Sequence, residues 1–252
     1  VEVLVIAPAV ILIIAGFIAL IITITGDVLN TKTSSDLIYT TEDALGRIEQ
    51  EVQRATEFRQ TSAIPTSPQD QSDNTTAFDT VSQASTYLVL RSLATDKNPI
   101  VDSRALIFTA AGVTCSTDPY TFDTVYFTKV VNGVTSLWRR IVFGNTTDAG
   151  TPCSGTTPWQ QPTCSPGYTN AFCKADDTLL LSNVSTITLR YLNAAGTQIN
   201  TTTPTAGTAV NNPNDAAGTT NASSISLSLS VGNTVAGRAG TYTGSLSAKK
   251  AP

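Results

Sequence analysis

The chain has 252 residues, 15 basic against 19 acidic, a formal net charge of −4 and no histidine at all. Without His there is no Ser-His-Asp or Cys-His nucleophile system, no His general base and no His-containing zinc site, and without a basic stripe there is no electrostatic footprint for DNA or RNA. Met is also missing, even at position 1, so processing or a preceding segment is expected ahead of Val1.

Val3 to Ile24 (VLVIAPAVILIIAGFIALIITI) is a run of 22 residues without a charge. At about 1.5 Å rise per residue such a helix spans about 33 Å, enough to cross a hydrocarbon core of about 30 Å. A buried core helix rarely stays apolar on every face for six turns. A signal peptide would carry a shorter apolar stretch, about 7–15 residues, between basic residues and a small-residue cleavage site. A membrane segment fits better than either. Glu2 stands at the start of the run, where a carboxylate drawn into an apolar assembly costs several kcal/mol unless a cation or water meets it. At a membrane surface it would instead be solvated and favoured by the positive end of the helix dipole. Pro8 removes a backbone donor and strands the carbonyl of Leu4, and Gly16 is a second weak point in the same helix.

The helix is expected to continue beyond the membrane. Ile38, Thr41, Leu45, Ile48, Val52 and Ala55 recur at spacings of three and four, with Glu42, Asp43, Arg47, Glu49, Glu51 and Arg54 on the other faces, so residues 36–58 read as amphipathic and one side requires a partner surface. Pro65 and Pro68 then open a loop running to about Phe78. After it the period changes to two: strands are expected at 86–91, 104–109, 124–130, 136–143, 185–192 and 224–231, all rich in β-branched and aromatic residues or strictly alternating. Asn132-Gly133 is the favoured pair of a type I′ hairpin turn. Leu227, Leu229 and Val231 alternate with Ser226, Ser228 and Ser230, giving a strand with one apolar face suited to cover the helix. Residues 144–171 and 196–223 interrupt the pattern as ordered or disordered loops.

The four cysteines show no C-x-x-C spacing and have no His beside them, so disulfides are expected rather than a metal site. Of the three connectivities, the hairpin favours Cys115 with Cys153, which lie at similar distances before and after Gly133. Cys164 and Cys173 would then close a small loop, and both bonds imply an oxidising, extracytoplasmic setting. Asn74, Asn145, Asn183, Asn200 and Asn221 each begin an N-x-Ser/Thr triplet and are candidate glycosylation positions. The nearest approach to paired catalytic carboxylates is Asp176-Asp177 and Glu49/Glu51, both expected as solvated loop and helix faces rather than as an active site. No enzyme, cofactor or metal is expected.

A short acidic start followed at once by an apolar segment (Glu2-Val3-Leu4-Val5-Ile6), an amphipathic helix (ALGRIEQEVQRA) and a strand-rich head resembles a mature type IV pilin or a related pseudopilin. FDTVYFTKVVNGVTSLWRRIV, VSTITLRYLNAAGTQI and the closing alternating strand resemble the larger minor-pilin heads, so the resemblance covers most of the chain. It implies an α+β pilin fold with an apolar transmembrane and filament-core helix over 1–26, its amphipathic continuation over 27–58, and a β-rich head over 59–252. Glu2 matches the family's glutamate, which pairs with the N-terminal amine of a neighbouring subunit during assembly. The family carries an aromatic, methylated first residue and several apolar residues ahead of that glutamate, whereas here only Val1 precedes it. It also places a glycine before a proline where the helix loosens in the filament. Here Pro8 comes first and Gly16 second, so loosening is expected near Pro8 and toward Gly16.

The function implied is a structural subunit of a type IV pilus, polymerising through its apolar helix into a surface filament for adhesion or motility. Its partners would be copies of itself, the cytoplasmic membrane before assembly, the prepilin peptidase and the pilus assembly machinery, with no nucleic acid. The rival readings are a minor or tip pilin, a secretion pseudopilin, and a membrane-anchored adhesin that never polymerises.

Overall fold

The first element, α1 (Glu2–Arg54), is one uninterrupted helix of 53 residues, about 80 Å long. The computed structural model describes residues 2–59, 86–111, 114–143, 152–166, 174–202, 219, 221–235 and 238–251. The expected loop with Pro65 and Pro68 lies outside them. Thr and Ser recur along α1 without breaking it, because the hydroxyls of Thr23, Thr31, Ser35, Thr40 and Thr41 donate to the carbonyl four residues back, satisfying themselves within the helix.

Most of the other described residues form antiparallel sheet. One sheet has five strands, β1 (Glu57–Phe58), β2 (Thr86–Leu93), β5 (Thr121–Val131), β6 (Val134–Phe143) and β9 (Thr178–Ser182), in the order β1-β2-β5-β6-β9. A second has four, β10 (Val184–Leu192), β11 (Gln198–Thr202), β12 (Ser224–Val235) and β13 (Arg238–Lys249), in the order β11-β10-β12-β13. Two small pairs complete it, β3 (Phe108–Ala111) with β4 (Thr114–Pro119), and the parallel pair β7 (Thr163–Cys164) with β8 (Ala175–Asp176). The α+β class expected from the sequence is therefore present. β5 and β6 pair from Val131↔Val134 to Phe122↔Phe143 around a two-residue turn with Asn132 at φ 52° and Gly133 at φ 77°, the left-handed pair that matches the strand twist.

The main core lies between α1 and both sheets. Ala44, Leu45, Ile48 and Val52 of the helix meet Leu88, Leu90, Tyr126 and Leu137 of the first sheet and Ile187, Leu189, Ile225, Leu227, Leu229 and Val231 of the second. The apolar face of β12 thus covers the helix, as its alternation requires.

Several expectations differ. Ile38 is exposed and Leu37 packs on the core instead, which rotates the buried stripe by one residue at its start. The helix stops at Arg54, not at residue 58: Thr56 N–H donates to Arg91 O at 2.8 Å, and Glu57 and Phe58 pair with Arg91 and Leu90, so the sheet captures the backbone. The strand expected at 104–109 begins at Phe108. Before it the chain forms a closed loop, with Asp96 accepting from Ala105 N–H at 2.7 Å and Asn98 from Ile100 N–H at 3.0 Å. The second interruption begins as strand β11, paired with β10. β13 carries no expectation from the sequence, yet it is the strand in longest register with β12 and lies directly against α1.

Candidate assembly helix and its junction with the head

The apolar part of α1 stands clear of the head. Among the described residues none of its most apolar stretch is buried, and Leu12, Phe17 and Ile22 expose 73%, 64% and 66% of their surface. A helix this long and apolar has the dimensions to cross a membrane. Helical backbone runs through both Pro8 and Gly16 in the single chain, and a Cβ added to Gly16 would meet nothing within 4 Å. Glu2 opens the helix, but its side chain and that of Pro8 lie outside the described part.

Contact with the head begins near Ser34, whose Oγ lies 3.8 Å from where a Cβ on Gly240 would stand. It tightens further along β13. A Cβ on Gly244 would lie 2.7 Å from Leu45 Cδ1 and 3.2 Å from Thr41 Cγ2, so only glycine allows the strand so close to the helix. Between the two glycines the Tyr242 hydroxyl donates to Glu42. At the far end Glu51 accepts from the Tyr126 hydroxyl and from Arg139, whose Nη2 stands 2.6 Å away. Burial, reinforced by the Glu51 charge, holds the Tyr126 phenol well above its ordinary pKa, so it remains a donor at physiological pH. These contacts fasten the second half of α1 to the head.

The head is held by charges that the sequence reading missed. Asp123, fully buried, accepts from Arg91 Nε at 2.9 Å, Arg91 Nη2 at 3.2 Å and Arg59 Nη1 at 2.9 Å. Asp177, expected as a solvated loop residue, is instead buried against Arg140 at 2.7 Å and accepts from Thr163 Oγ1 at 2.8 Å. Glu51, expected on a solvated helix face, is likewise committed to Arg139. Asp123 and Asp177, buried, and Glu51, half-buried, are each held as charged partners of an arginine, which stabilises the fold. No sequence spacing marked them, because their partners come from other strands.

Cys115 and Cys153 form a disulfide with Cα atoms 5.3 Å apart. It lies beyond the β5–β6 ladder, where β4 has turned away to pair with β3 and Cys153 starts a short 3-10 turn (Cys153–Gly155). Cys164 is disulfide-bonded too; Cys173, its expected partner, lies outside the described residues. Of the Asn triplets, Asn183 is exposed at a left-handed bend between β9 and β10 with φ 58°, Asn221 is exposed in a turn, and Asn200 is in β11. Asn74 and Asn145 lie outside the described residues. Among the described residues no cluster of Cys, Asp and Glu is arranged to hold a metal ion. Compared with models of known families, with curated proteins and with solved structures, the chain finds no match.

Proposed function

We propose that this chain is a filament subunit of the type IV pilin kind, anchored by α1 in a membrane and then assembled through the same helix. The observation that carries the reading is the division of α1. One half is bound to two sheets by a continuous core; the other is apolar on all sides and stands clear of the head. Such a surface requires lipid before assembly and other helices after it. Copies of the chain would supply those helices, with the Thr- and Ser-rich heads outward. Glu2 would pair with the N-terminal amine of a neighbour, which offsets the cost of taking its carboxylate into an apolar core. In the filament, backbone bonding would loosen from Pro8 toward Gly16, where one hydrogen bond is already lost.

The test is Glu2→Ala in the producing cell, with filaments sheared, imaged and identified by mass. The expected outcome is membrane-inserted protein without filaments. A normal yield of filaments from the variant would overturn the role of Glu2, and wild-type cells whose filaments contain none of this chain would overturn the subunit itself.

A further inference from the structure

The last turn of α1, the loop between β2 and β3 and the segment around Trp159 enclose a cleft of about 750 Å³, within the range of small-ligand sites. It lies at the end of the helix farthest from the apolar segment: that run ends at Ile24 and the helix at Arg54, about 45 Å further along. The cleft therefore lies well clear of a membrane that holds the apolar run.

Trp159 forms part of its wall and leaves 56% of its surface exposed. Its backbone is firmly set. Its backbone N–H donates to Thr95 O at 2.8 Å, and the neighbouring Gln160, buried, binds Thr95 twice more, accepting from its N–H and donating to its hydroxyl, each at 3.1 Å. These bonds fix the backbone that carries the indole, and an indole left uncovered gains little for folding and presents an apolar plate to the cleft. The polar groups that line the cleft with it are mixed. Asn98 and Gln161 carry amides, and Arg54, Arg104 and Asp176 carry charges of both signs. Glu51 and Arg139, which also reach it, neutralise each other at 2.6 Å.

Asn98 already accepts from Ile100 N–H, Gln161 donates to Pro158 O and Arg104 donates to Val101 O, but a wholly apolar ligand would strip water from their remaining donors and acceptors, and a polyanion would meet Asp176 along with the guanidiniums. A pyranose suits both kinds of surface, because its C–H face stacks on an indole while its hydroxyls both donate and accept. We propose that this cleft binds a neutral hexose unit of an oligosaccharide, with Trp159 as the stacking platform. The described residues that line the cleft all belong to one subunit, so this holds or fails independently of filament assembly.

The experiment uses the full chain in a phosphocholine detergent, since glycoside detergents would compete. Neutral trisaccharides of glucose, galactose and mannose are titrated, with sialyllactose as the anionic probe, and binding is followed by calorimetry and tryptophan emission. At least one neutral trisaccharide should bind and shift the emission. Trp159→Ala should weaken it about tenfold or more with unchanged thermal unfolding, and Trp159→Phe should restore part of the loss. No neutral sugar binding up to about 10 mM, equal affinity in Trp159→Ala, or binding of sialyllactose alone would each overturn the proposal.

Discussion

Replacing Gly244 with Ala measures how closely α1 is packed on β13, and the expected sign is the informative part. At an open strand position the change would stabilise by about 0.4–1 kcal/mol, because Ala has less backbone freedom to lose on folding. At Gly244 the new methyl would stand 2.7 Å from Leu45 Cδ1, 3.2 Å from Thr41 Cγ2 and 3.3 Å from Glu42 Oε1, against an optimum of about 3.5–4.0 Å between carbons. Leu45 Cδ1 ends a flexible side chain, but that side chain is enclosed in the core. Thr41 is buried and tied by its hydroxyl to Leu37 O at 2.7 Å. Overpacking of this kind costs about 1–3 kcal/mol, which outweighs the entropy gain, so a net loss of about 1–2 kcal/mol is expected. Gly240→Ala is the control on the same face of the same strand. Its Cβ would meet nothing closer than Ser34 Oγ at 3.8 Å, so it should be neutral or slightly stabilising. Leu45→Ala should cost about 2–5 kcal/mol in the wild-type background and about 1 kcal/mol less when combined with Gly244→Ala, where it makes room for the methyl. Thermal and denaturant unfolding of the detergent-solubilised chain, followed by circular dichroism, reads all four variants. A Gly244→Ala protein as stable as wild type, with Leu45→Ala strictly additive, would refute the close packing.

Removing the Cys115–Cys153 bond as the double alanine variant frees a loop with a sequence separation of 38, for which chain entropy gives about 3.9 kcal/mol and typical measurements about 2–4; a loss below about 0.5 kcal/mol in the same unfolding assay would show that the head does not depend on it. Asp123→Asn leaves the guanidiniums of Arg59 and Arg91 around an uncharged, buried amide, and a loss of about 3–5 kcal/mol is expected; retained stability at low and high salt alike would contradict that partnership. Burial raises the pKa of Tyr191 and, with help from Glu51, that of Tyr126. Their contribution is therefore whole below the unfolded value of about 10 and falls as pH rises above it toward the folded values. Unfolding measured from about pH 8 to 12 should show this decline, smaller in Tyr191→Phe, and a flat profile would count against the burial of both rings.

The features readable along the chain were those set by local period and length. The apolar run from Val3, the helical spacing of Thr41, Leu45, Ile48 and Val52, the Asn132-Gly133 turn and the alternation of β12 each follow from a few neighbouring residues and their dihedral preferences. What escaped such reading depends on what lies across from a residue. β13 was hidden because two of its inward positions are Gly240 and Gly244, which carry no hydrophobic signal and exist to let α1 approach. The helix end moved from 58 to 54 because β2 offers Thr56 and Arg59 better backbone partners than another helical turn would. Asp123, Asp177 and Glu51 look solvated in sequence and are embedded in the fold, since the arginines that neutralise them arrive from strands up to 88 residues away. The cleft beside Trp159 belongs to the same class: its indole, amides and charges come from separate segments, and only the packing of α1 against the head brings them to one place.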